Sequence, residues 1–142
     1  MSTISSIMKG AGGEVWSVRS DQSVLDALRL MAEKGIGAVP VIDGGKLSGI
    51  FSERDYARKV ILQDRSSRGT PVREIMSREV TTTTPASSVA ECMALMTEKH
   101  FRHLPVMEGE KVVGIISIGD LVKAVIAEQQ YTISQLENYI AG

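Results

Sequence analysis

Several things are scarce in this chain of 142 residues, and each scarcity closes a class of function. It has one cysteine, Cys92, which excludes an intramolecular disulfide, and with only two histidines beside it there is no convincing set of zinc ligands. No metal site is expected, and a reducing compartment fits. Charge of either sign is not in excess: 16 lysines and arginines face 17 aspartates and glutamates, for a formal net charge of -1. The basic surplus that nucleic-acid binding needs is missing. No run approaches the ~18 consecutive apolar residues of a membrane span, and no basic leader precedes an apolar stretch at Met1–Lys9. The expectation is a cytoplasmic protein with neither nucleic acid nor membrane as partner. The signatures of catalysis are absent too: there is no G-x-S-x-G, P-loop, H-E-x-x-H or C-x-x-C, so no catalytic residue is assigned.

What is present is a folded-domain composition, 43% hydrophobic and 23% charged, at a length that buries a core without staples. The chain also repeats itself. Shifted by 65 positions, Val15 through Ile61 falls on Val80 through Ile126 without a gap. Met31 meets Met96, Pro40-Val41 meets Pro105-Val106, and Gly49, Ile50, Ser52 and Asp55 meet Gly114, Ile115, Ser117 and Asp120. Two copies are too few for a solenoid, so they predict a pseudo-symmetric pair of facing lobes. A shorter echo, Ile7-Met8 and Ile75-Met76, precedes each copy, and Gly10-Ala11-Gly12-Gly13 supplies a flexible turn in the first.

Local signals order each copy. Ser23 with Asp26 and Ser88 with Glu91 have capping-box spacing and open two helices. Val24, Ala27, Leu28 and Met31 share one apolar face, as do Val89, Cys92, Met93 and Met96. Gly35 is placed to end the first helix in a left-handed conformation, whereas His100 lacks that freedom. Asp43-Gly44-Gly45-Lys46 and Glu108-Gly109-Glu110 read as hairpin turns between short apolar strands. A further helix starts near Asp55 and near Asp120. The predicted fold is α/β of the α+β kind: two β-α-β-β-α repeats packed with pseudo-twofold symmetry, plus a C-terminal helical extension. The expected divisions are repeat 1 over 1–64, a polar linker over 65–74, repeat 2 over 75–127 and the terminal helix over 128–142. In that helix Ile133, Leu136 and Ile140 share a face that must cover something.

Chemistry concentrates where strand meets helix. Gly49-Ile50-Phe51-Ser52-Glu53-Arg54-Asp55 and Gly114-Ile115-Ile116-Ser117-Ile118-Gly119-Asp120 share the pattern G-h-x-S-x-x-D, with h apolar. Free N–H groups at a helix start favour an anion, and a carboxylate accepts from both hydroxyls of a ribose diol. The same S-x-x-D spacing is also an ordinary helix cap that needs no ligand. Arg54 and Arg102 are the phosphate candidates, because a guanidinium binds phosphate through two parallel hydrogen bonds; each could also be a solvated surface charge. Arg102 and His103 replace Gly37 and Ala38 of the first copy, which makes one lobe cationic, and Arg54 against Gly119 partly reverses this. Trp16 is either a packing anchor or a lid on a base.

The tandem repeat, the segments Ala38-Val39-Pro40-Val41 and His103-Leu104-Pro105-Val106, and the paired G-h-x-S-x-x-D motifs together resemble a pair of cystathionine beta-synthase (CBS) domains, from about Ile4 to Ile126. The resemblance implies two clefts for an adenine ligand: AMP, ADP, ATP or NAD, with S-adenosylmethionine less expected. It implies that Asp55 and Asp120 hold ribose, with Ser52 and Ser117 near ribose or phosphate. Ile36, Ala38, Val39 and Pro40 in one copy, and Arg102, His103, Leu104 and Pro105 in the other, would line base and phosphate. Thr82, Thr83 and Thr84 match the family's first strand, which meets the adenine. A regulatory sensor follows, with a homodimer and a regulated protein partner implied. A structural module with degenerate clefts and, more remotely, an enzyme are the alternatives.

Overall fold

The computed structural model describes residues 2–8 and 15–141, so the glycine-rich turn predicted at 10–13 lies outside the described residues. Helix α1 spans Ile4–Met8, α2 Val24–Lys34, α3 Glu53–Tyr56, α4 Val89–Lys99 and α5 Ile118–Ala141. Strands β1 (Ala38–Asp43) and β2 (Lys46–Ser52) form one antiparallel hairpin, β3 (His103–Glu108) and β4 (Lys111–Ser117) the other. Gly44 and Gly45 take φ of 57° and 81°, the left-handed pair that a two-residue hairpin turn requires.

Each repeat is shorter in strand than predicted. The expected first strand makes only one parallel bridge, Val18 to Val41 in repeat 1 and Thr83 to Val106 in repeat 2. Val18 donates to the Pro40 carbonyl and accepts from Ile42; Thr83 does the same with Pro105 and Met107. The chain leaves the sheet after that one residue.

Both capping serines behave as read, Ser23 Oγ accepting from Asp26 N and Ser88 Oγ from Glu91 N. Gly35 ends α2 at φ 64°. His100 ends α4 in the same left-handed conformation, φ 60° and ψ 38°, despite its side chain. The second helix of repeat 1 is brief: α3 passes at Ala57–Ile61 into a wider turn of π type. In repeat 2 no break separates the predicted helix near Asp120 from the terminal one. They are one helix, α5, of 24 residues.

The two cores are laced together. One contains Val24, Ala27, Met31, Val39, Val41 and Phe51 of repeat 1 with Val72, Ile75 and Met76. The other contains Val89, Cys92, Met96, Leu104, Val106, Ile116 and Leu121 of repeat 2 with Ile4, against which Ile7 and Met8 also pack. Each echo segment thus completes the core of the other repeat. Matching hydrogen bonds hold it there: Val24 N donates to Thr70 O, and Val89 N donates to Ser2 O. Val72, which lies within the stretch expected as a linker, is fully buried in the first core, while Arg73 and Glu74 beside it are exposed.

Candidate functional site

Two clefts lie where one repeat's strand-to-helix junction faces the other repeat. In the Asp55 cleft, about 850 Å³, Ser52, Glu53, Arg54, Asp55, Arg58 and Lys59 come from repeat 1. Ser77, Glu79, Val80, Thr81, His100, Phe101, Arg102 and His103 face them from the second half of the chain. In the Asp120 cleft, about 520 Å³, Gly114, Ile115, Ile116, Asp120, Lys123 and Ala124 of repeat 2 face Val15, Trp16 and Ile36 of repeat 1, with Ile7 and Met8. The 65-residue shift relates the two linings: Val15 and Trp16 correspond to Val80 and Thr81, Ile36 to Phe101, Lys123 to Arg58.

Because the clefts are built crosswise, the expected balance of cations is overturned. Arg54 comes from one repeat and Arg102 and His103 from the other, yet all three line the same cleft. Arg54 adds to the asymmetry instead of reversing it. Arg58 and Lys59 join them, so four arginines and lysines face the carboxylates of Glu53, Asp55 and Glu79. The Asp120 cleft has one carboxylate and one ammonium, Asp120 and Lys123, among mostly apolar walls.

Both S-x-x-D motifs are complete capping boxes. Ser52 N donates to Asp55 Oδ2 at 3.0 Å while Asp55 N donates to Ser52 Oγ at 3.2 Å. Ser117 N and Asp120 Oδ2 are 2.9 Å apart, and Asp120 N donates to Ser117 Oγ at 3.1 Å. This uses backbone N–H groups that the sequence reading offered to an anion, and α3 is only four residues long. The cationic groups left facing the cleft are the guanidiniums of Arg54, Arg58 and Arg102 and the Lys59 ammonium. The Asp55 carboxylate is mostly buried, and its other oxygen receives Lys59 Nζ at 3.3 Å and Ser77 Oγ at 3.4 Å. In Asp120 only Oδ2 is engaged by the box, and the carboxylate is exposed, which leaves acceptor capacity for a hydroxyl.

Arg54 reaches across the repeats, its Nη1 donating to the His100 carbonyl at 3.2 Å. That carbonyl belongs to the residue ending α4, so the cation sits at the negative end of a helix. His103 lies between the repeats, near where a side chain at Gly37 would begin. Burial pushes its imidazole below the ordinary value; the carboxylates of Asp120 and Glu53 pull upward, and Arg102 adds to the lowering. Trp16 serves as wall of the Asp120 cleft and carries Lys34 Nζ 3.9 Å above its ring.

Not every predicted residue reaches a cleft. Ala38, Val39, Pro40, Leu104 and Pro105 are buried within the hairpins. Thr83 turns into the second core, its hydroxyl 3.3 Å from Cys92 Sγ, while Thr82 and Thr84 point to the surface. The segment meets the cleft earlier, at Glu79–Thr81. Gly119 lies exposed on the first turn of α5, outside the lining. Arg58, Lys59, Phe101, Ser77 and Glu79 were missed. The repeat held the signal for Phe101 and Thr81, since Ile36 and Trp16 are their counterparts.

Two fused repeats whose junctions enclose a pair of ligand-sized clefts define a class, that of tandem-repeat regulatory binding modules. Comparison places the chain within it: the family model described as CBS domain matches residues 4–62 and 72–127, and the chain belongs to the CBS-domain family. It is 40% identical to the mitochondrial CBS domain-containing protein CBSX3 of Arabidopsis thaliana, over 99% of this chain and 72% of that one. It is 32% identical to YhcV of Bacillus subtilis, over 98% of this chain and 91% of that one. A solved CBS-domain protein from Burkholderia ambifaria MC40-6 superposes with a TM-score of 0.86 at 54% identity, covering 90% of this chain and 96% of that chain. The CBS domain pair of protein MJ0100, solved with 5'-methylthioadenosine and S-adenosylmethionine, gives a TM-score of 0.78 at 25% identity, over 87% of this chain and 99% of that chain. Since one relative is mitochondrial, the family is not confined to the cytoplasm. No helix among the described residues is long and apolar enough to cross a membrane.

Proposed function

We propose that the chain is a regulatory module that takes a phosphorylated adenosine compound, AMP, ADP, ATP or NAD, in the Asp55 cleft and performs no chemistry of its own. One observation carries the reading: Arg54 from repeat 1 and Arg102 from repeat 2 converge on a cleft whose floor holds Ser52 and Asp55. A volume of about 850 Å³ suits a ligand of nucleotide size. In this reading Asp55 accepts ribose hydroxyls in exchange for Ser77 or Lys59, and Arg54, Arg58 and Arg102 meet phosphate. The adenosine compounds bound by the MJ0100 pair support the same ligand class. A ligand touching both repeats has different contacts in open and closed arrangements, which is what a population shift requires. That shift would be read by a regulated protein partner.

The mostly apolar Asp120 cleft favours a second reading for itself: an adenosine compound without phosphate, such as a thioether or S-adenosylmethionine, with Asp120 on ribose. Native mass spectrometry of the purified chain tests both. A copurified adenosine compound supports the module. Failure of any such compound to bind after millimolar incubation contradicts it.

A further inference from the structure

His103 lines the Asp55 cleft, yet the carboxylates that act on it come from both clefts, Glu53 from the first turn of α3 and Asp120 from the first turn of α5. Its approach to Glu53 is close. The point that a Cβ on Gly37 would occupy lies 3.2 Å from Glu53 Oε1 and 3.4 Å from His103 Nε2, so the two side chains face each other across Gly37, one from each repeat. Shifted by 65 residues, the same positions hold Ala38 and Ile118, and the pair has no ionisable counterpart. It stands only on the side that also gathers the arginines.

The surroundings set the charge of the imidazole. Burial favours its neutral form, Asp120 and Glu53 oppose this, and Arg102 beside it in the chain works with burial. Arg54, Arg58, Lys59 and His100 share the cleft with it, as do the carboxylates of Asp55 and Glu79. A neutral imidazole has one N–H and one lone pair, and the lone pair repels a phosphate oxygen, whereas an imidazolium donates from both nitrogens. An anion in the cleft offsets the cations that oppose protonation and adds a negative charge that favours it. Four arginines and lysines against three carboxylates leave the lining an excess of one positive charge. A compound with two or more phosphate charges exceeds that.

We propose that His103 supplies the difference as a proton-dependent phosphate ligand: it takes one proton from solvent when a phosphorylated compound enters the Asp55 cleft, so the cleft holds that compound more tightly as the pH falls. This rests on the reading of the cleft as a site for phosphorylated adenosine compounds. It makes the module responsive to pH as well as to ligand.

Proton NMR titration of the full chain, with and without saturating ATP, tests the inference. The chain has two histidines, and the imidazole signal that remains in His100→Gly is that of His103. Its titration midpoint should rise when ATP binds, and by more than that of His100, whose side chain is exposed at the end of α4 and better screened. Calorimetry gives a second reading. The native chain should exceed His103→Gln in ATP affinity by roughly three- to tenfold at about pH 6 and by less than about twofold at about pH 8, since one proton is worth at most about tenfold per pH unit. The titration of ATP itself is common to both proteins and cancels in the ratio, and adenosine affinity should differ little between them at either pH. A His103 midpoint that bound ATP leaves unmoved, or moves no further than that of His100, overturns the inference and leaves the adenosine reading standing, as does an affinity ratio equal at both pH values. Failure of ATP to bind overturns both.

Discussion

Gly49 and Gly114 hold equivalent places in the two repeats, but a side chain would meet different obstacles. A Cβ at Gly49 would stand 2.7 Å from the Ser77 carbonyl oxygen, which is backbone tied to Ile50 by two hydrogen bonds. At Gly114 the nearest atom, 2.5 Å away, is the terminal methyl of Met8, which can swing aside. Gly49→Ala should therefore cost about 1–3 kcal/mol by overpacking, and Gly114→Ala less than about 1 kcal/mol, in parallel urea denaturations. His103 makes a second test. Its imidazole is held neutral chiefly by burial, with a folded pKa below the unfolded value. The unfolded chain then binds the extra proton first, so stability conferred by neutral His103 is complete above about pH 6.5 and declines as the pH falls toward the folded pKa. Thermal unfolding between about pH 7.5 and 5.5 should show this decline, and His103→Gln should flatten it relative to the native chain.

At the scale of elements, helix ends show what local pattern reveals and what it conceals. Gly35 and the serine caps were legible because each feature depends on a few neighbouring residues. His100 was not: it takes a left-handed backbone where the chain turns from α4 into β3, and its carbonyl accepts from the distant Arg54 guanidinium. His100→Gly should stabilise the chain by about 0.5–1 kcal/mol, read as a rise in thermal midpoint, because glycine takes that conformation without steric cost. The repeat likewise made both hairpins and both S-x-x-D junctions readable, whereas the single-residue first strands were overestimated. Thr82–Thr84 have strand-forming composition, but only Thr83 bonds to β3 before the backbone turns away. Which junction faces which partner is a tertiary fact. No spacing within one repeat could show that Arg54 and Arg102 share a cleft.

Over the whole molecule, the exchange of Ile4–Met8 and Val72–Met76 between cores makes neither repeat complete alone. Ile4 is fully buried in the core of repeat 2, far along the chain from the residues it touches. Ile4→Ala should cost about 2–4 kcal/mol. Hydrogen exchange in that variant should show early loss of protection in α4, β3 and β4 instead of in α2, the helix next to it in sequence. The same lacing ties both walls of each cleft together, so a ligand that draws Arg54 and Arg102 toward one anion acts on both repeats at once.

Calorimetric titration of ATP and adenosine into the native chain and into the Arg54→Ala, Arg102→Ala double variant tests that account most directly. The native chain should bind ATP more tightly than adenosine. The double variant should narrow this preference by about ten- to a hundred-fold while adenosine affinity changes little, because charge-assisted hydrogen bonds to phosphate are what the two guanidinium groups supply. Equal affinity of the native chain for the two compounds, or a preference for ATP that survives loss of both arginines, would contradict it.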